Sequence, residues 1–178
     1  MRTEMTAGAI QPHEPLATLQ SSGYAFAPDA IAEVRNHGPG DSQVVLVEGR
    51  LPETAVLPAL LAMQDRQIRQ CKLDEPARIT RLRRQQHASR KVVEAFLASP
   101  IRTSLAVRRA HASGSGSAYE VSADNIEALS RHLDAPEVQA TLPTAARGSS
   151  GVAVQLFRAA LSDLAEDLAT VCKQPPRP

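Results

Sequence analysis

Residues 44–47 read Val44-Val45-Leu46-Val47, a short apolar run that follows the turn-like cluster His37, Gly38, Pro39, Gly40 and Asp41. The run can form one strand, but a strand needs partners, and no other stretch of the chain reads as a strong one. The expected fold is therefore all-α. It is a small helical bundle of five to seven helices with a flexible N-terminal arm and at most this one short strand.

Moving outward toward the C-terminus, the periodicity is helical. Val56, Leu57, Leu60, Leu61, Gln64, Ile68 and Cys71 recur at spacings of three and four, with Pro52 near the start and Pro58 marking a first turn or kink. Asp74, Glu75 and Pro76 place acids near the positive end of a second helix, which runs to about Ala98 and is stopped by Pro100. Its seam is Ile79, Leu82, Gln86, Ser89, Val93 and Phe96, with two polar members in the middle. A third basic piece covers Ile101 to Ala112. Ser113 to Ser117 alternates Ser and Gly and reads as a linker.

Beyond the linker, Ser122 is placed to cap a helix bearing Ile126, Leu129 and Leu133, and Pro136 opens a further short one. The last helix has the clearest signature, since Val154, Phe157, Leu161, Leu164, Leu168 and Val171 are spaced by alternating threes and fours from a cap at Ser150. On the N-terminal side, Glu14 to Asn36 reads as a short helix, a break at Ser22 and Gly23, and a second helix with Pro28 at its first position. Residues 1–13 carry no pattern and read as an arm. The division is thus 1–13 disordered arm, 14–112 helical region, 113–118 linker, 119–173 helices of the same bundle, and 174–178 disordered tail.

Composition agrees with one soluble domain. The chain has 178 residues, 43% hydrophobic and 22% charged, with 13 Pro and 9 Gly to break it. Aromatic residues are 3% with no Trp, so Leu, Val, Ile and Ala must build the core, which disfavours a large β-sandwich. Seventeen Arg against three Lys, together with abundant Ala, suggest a GC-rich bacterial genome. Two distant cysteines, Cys71 and Cys172, make no disulfide framework and read as reduced, buried thiols. The first twenty residues lack a signal-peptide core, and the longest apolar run, Ala55 to Met63, is too short to span a bilayer. The expected location is the cytoplasm, although a polar N-terminus with Thr and Gln also suits export without a cleaved signal.

No catalytic motif emerges. His13, His37, His87, His111 and His132 stand in no metal-ligand spacing, so neither a metal nor another cofactor is expected. The Gly- and Ser-rich stretches lack the Lys and the preceding strand of a phosphate loop, and Ser115 lies in a linker rather than on a nucleophile elbow. His37 and Asp41 flank a tight turn and would be the pair to test if the protein were an enzyme. The expectation is that it is not.

Charge is the informative feature. Residues 65–111 hold twelve basic and four acidic side chains, so a net +8 stands against −7 elsewhere, within a total of +1. At about 100° per residue, Arg81, Arg84, His87 and Lys91 project away from the Ile79, Leu82 and Val93 seam, with Arg83 and Arg90 flanking it. Arg108 and Arg109 extend this stripe if the chain folds back at Pro100. Two arrangements stay open: an exposed basic surface, or one covered by the acidic flank Asp163, Glu166 and Asp167. The functional expectation is a non-enzymatic adaptor or regulator that binds an acidic protein partner through Arg81, Arg84, His87, Lys91, Arg108 and Arg109, or offers the seam with Gln86 and Ser89 to another helix. The alternatives are nucleic-acid binding by phosphate contacts and attachment to an anionic membrane surface, with self-association also open.

Overall fold

A computed structural model describes residues 14–39, 41–71, 75–97, 104–110, 118–124 and 126–173. Along the chain come α1 (Glu14–Ser21), β1 (Ile31–Gly38), β2 (Asp41–Leu51), α2 (Glu53–Gln70), α3 (Pro76–Leu97), β3 (Leu105–Ala110), β4 (Ala118–Ala123), α4 (Ile126–Leu133), α5 (Pro136–Thr141), a 3-10 turn (Thr144–Ala146) and α6 (Ser150–Lys173). The four strands form one antiparallel sheet in the order β1-β2-β3-β4. Two β-hairpins thus flank a helical hairpin, and the fold is α+β.

This overturns the all-α expectation and the helical-bundle architecture. The run 44–47 does have partners: Val44 faces Val34, Leu46 faces Ala32, and on the other side of β2 Leu51 faces Leu105. These partners are hard to see in the sequence because only one face of each is apolar, and the other carries Glu33, Arg35, Arg108 or Glu120. The strand β3 is also far from β2 in sequence, with both long helices of the hairpin between them. The stretch from Pro28 to Asn36, expected as a helix, leads into and forms β1; Ala27 N–H donates to the Arg50 carbonyl at 2.8 Å and ties it alongside β2. Ser122, expected as a helix cap, lies in β4, and Ile101 to Ala112 contributes β3. The expected arm (1–13), residues 113–117 of the expected 113–118 linker and the tail (174–178) lie outside the described residues, as do the backbone break at Pro100 and His13 and His111, while Ala118, the last expected linker residue, begins β4.

A register shift in β2 near Val47 sets the core face of the sheet. On one side of it Val44 and Leu46 turn inward, and on the other Gly49 and Leu51 do so, because an extra residue reverses the alternation. The inward face continues through Leu105, Val107, Tyr119 and Val121. Against it pack Ala55, Val56, Ala59, Leu60 and Met63 of α2 and the whole stripe of α6 from Val154 to Val171. The outward face holds Glu33, Arg35, Glu48, Arg50, Arg108 and Glu120, all exposed.

Two local devices close the N-terminal side. Gly23 takes φ +100° in the turn after α1, and a Cβ there would lie 2.6 Å from the Ala62 Cβ, so only glycine lets this turn settle on α2. Tyr24 then stacks on Phe26 with ring centroids 5.9 Å apart and drops into the core, where it is 2% exposed.

Candidate functional site

The helical hairpin is longer than the core it serves. Every buried residue of α2 lies at or before Gln64, and among the described side chains of α3 the buried positions are Ser89, Val92 and Val93. Residues 65–71 and 76–88 contain none, so the distal part of the hairpin stands clear of the sheet. A long helix that lacks a buried stripe is stabilised mainly by its own propensity and side-chain pairs. Here Arg78 pairs with Glu75 at 2.9 Å, which raises the Arg78 pKa, and nearer the core Lys91 pairs with Glu94 at 3.2 Å.

On this projecting segment Arg81, Arg83, Arg84 and His87 are all exposed; nearer the core on α3, Lys91 is exposed as well, while Arg90 is half-buried with its Nε lacking a hydrogen-bond partner. The acidic flank of α6 does not cover them. Asp167 is held by Arg66 of α2 through both carboxylate oxygens, at 3.0 Å from Nε to Oδ1, and it also accepts from the Tyr24 hydroxyl at 2.7 Å. Among the described residues no ion pair joins an acid of α6 to an arginine of α3.

Arg108 and Arg109 do not extend the stripe. They are consecutive in β3 and therefore point to opposite faces of the sheet. Arg108 stands on the outward face in register between Glu48 and Glu120 on the neighbouring strands. Arg109 faces the same side as Tyr119, beside the core. The structure brings together Arg81, Arg84, His87 and Lys91 and leaves this pair elsewhere. His37 and Asp41 fall at the two ends of the β1–β2 turn.

Beneath the projecting hairpin lies a feature that sequence reasoning missed, a groove of about 200 Å³ between α2, α3 and α6. Gln64 and Gln67 come from α2, Gln85, Gln86 and Ser89 from α3, and Asp163 from α6. Apolar wall is supplied by Ile68, Leu82, Leu156 and Ala159. Gln64, 6% exposed, donates from Nε2 to the Ser89 Oγ at 2.8 Å, and Ser89 passes its own proton to main-chain carbonyls of Gln85 and Gln86 at 3.0 and 3.2 Å. The Gln64 Oε1 is buried without a donor, a deficit of the order of 1–3 kcal/mol. Burial raises the Asp163 pKa, and Glu166 adds to the effect. The polar members of the α3 seam were the available signal. Ser89 serves as the hydrogen-bond partner of Gln64 within the hairpin.

The two thiols are free. Cys172 is buried and receives the Tyr119 hydroxyl at 3.3 Å, whereas Cys71 is half-buried at the end of α2. Burial is the main reason the Tyr119 hydroxyl is driven far above the usual phenol range. Among the described residues no cluster of His, Cys, Asp and Glu could hold a metal ion, and no helix is long and apolar enough to cross a membrane. Comparison with protein-family models, with curated proteins and with solved structures finds no match to this chain.

Proposed function

We propose that the protein is a non-enzymatic adaptor or regulator whose projecting helical hairpin docks an acidic protein segment on Arg81, Arg83, Arg84 and His87. The observation that carries this reading is the exposure of these residues on a helix segment with no buried positions, while the nearby acid Asp167 is engaged by Arg66. Arginine presents a planar fork of donors that matches carboxylates two at a time, and unpaired surface charge of one sign speeds encounter with the opposite sign. A protein segment is favoured over nucleic acid because the face carries no aromatic side chain on which bases would stack. Arg108 and Arg109 lie on strand β3 and so do not lengthen the basic stripe of this helix.

Fluorescence anisotropy tests this with three probes: a labelled helical peptide rich in Glu, a mixed-sequence DNA duplex, and vesicles containing phosphatidylserine. The Glu-rich peptide is expected to bind, and the triple variant Arg81→Glu, Arg83→Glu, Arg84→Glu to weaken it at least about tenfold, or about 1.4 kcal/mol, with its far-UV circular dichroism unchanged. Tighter binding of the duplex or the vesicles than of the peptide moves the function to that class of partner. Peptide binding that survives the triple variant overturns the assignment to this face.

A further inference from the structure

The groove under the hairpin has a chemistry distinct from the basic face above it. Drug-sized ligands occupy pockets of roughly 300–1,000 Å³, so a volume of about 200 Å³ suits a single side-chain-sized group rather than a nucleotide or an organic cofactor. Its polar lining comprises one carboxylate, Asp163, with the amides of Gln64, Gln67, Gln85 and Gln86 and the Ser89 hydroxyl, and it includes no basic side chain. Asp163 forms no ion pair among the described residues. Gln64, more than nine-tenths buried, has an amide oxygen that receives no donor. Both groups call for hydrogen-bond donors and positive charge.

We propose that this groove binds a guanidinium group, with Asp163 as its counter-ion and the amide oxygens of Gln64, Gln85 and Gln86 as further acceptors. A guanidinium has five N–H donors and no acceptor, which matches a lining rich in oxygen acceptors. Its flat faces are weakly hydrated and lie comfortably against apolar wall such as Leu82 and Leu156, whereas an ammonium is a compact, strongly hydrated charge. An anion would meet the Asp163 carboxylate and the unpaired Gln64 oxygen, and an apolar group would leave both unsatisfied. The terminal torsion of glutamine is broad, so the Gln64 amide can turn toward a donor entering the groove. The guanidinium can belong to a free small molecule or to an arginine side chain of a partner. This site does not depend on the docking role of the α3 arginines.

Isothermal titration of the full-length protein decides it, with N-acetylarginine amide as the probe and N-acetylcitrulline amide as its uncharged isostere. The arginine compound is expected to bind at least about tenfold more tightly than the citrulline compound, and Asp163→Asn to weaken it about tenfold. Asp163 is partly exposed, so this variant keeps the fold, and an unchanged thermal midpoint checks that it does. Equal binding of the two compounds, no binding of either, or full binding by Asp163→Asn overturns the proposal. An alanine-rich helical peptide with one arginine separates the sources: tighter binding than the amide assigns the site to a partner's side chain, and weaker binding assigns it to a free guanidino compound.

Discussion

Burial holds the Asp163 carboxyl above the usual carboxylate range, and Glu166, three residues along the same helix, raises it further. The folded chain therefore keeps this proton to higher pH than the unfolded chain does. The associated stability is present at acid pH and is lost as pH rises from about 4, the unfolded value, through the raised folded value. Asp163→Asn removes the titrating group. Urea denaturation between about pH 4 and neutrality is expected to show a smaller loss, or larger gain, of stability with rising pH in the variant than in the parent. An identical pH dependence in the two proteins would sink this reading. In the sequence Asp163 was legible only as part of an acidic flank, because its polar neighbours in the groove come from two other helices.

At the scale of elements, a buried polar contact, Gln64 to Ser89, joins the two helices of the hairpin. Ser89→Ala alone strands the Gln64 amide nitrogen beside an oxygen that already lacks a partner, and is expected to cost about 1–3 kcal/mol. Adding Gln64→Leu removes every stranded atom and is expected to recover most of that loss. A double-mutant cycle by urea denaturation reads the coupling, and strict additivity of the two substitutions would mean the contact is without weight. The helices themselves were legible, since α2, α3 and α6 fall where the apolar spacing and the proline starts place them. The strands β1, β3 and β4 were not. Each has a single apolar face interrupted by charges, and its stability comes from pairing with a strand that local spacing does not reveal.

Across the whole molecule, one polar knot ties three regions together. Tyr24 from the segment after α1, Arg66 from α2 and Asp167 from α6 converge, with the Arg66 guanidinium 5.8 Å from the Tyr24 ring centre. Burial of Arg66 works against its charge, yet the hydrogen bond and charge of Asp167 raise its pKa. The side chains of Arg66 and Asp167 are only 19% and 10% exposed, so removing one partner strands the other. Asp167→Ala is expected to lower stability by about 3 kcal/mol, at the lower end for a broken buried pair. A loss below about 1 kcal/mol, the scale of a surface pair, would show that the knot is dispensable.

The amino-acid sequence by itself determined the three long helices, the segregation of charge into residues 65–111 and the solvent-facing side of α3. These are properties of residues a few positions apart, where a period of about 3.6 leaves its mark. The tertiary structure decided the sheet, the dispersal of Arg108 and Arg109 to opposite faces, the engagement of Asp167 by Arg66 and the glutamine-lined groove. Each of these is a contact between segments far apart along the chain, such as Leu51 with Leu105 or Arg66 with Asp167. Such contacts form only when long loops close and their entropy is offset by burial, and no local period records that outcome.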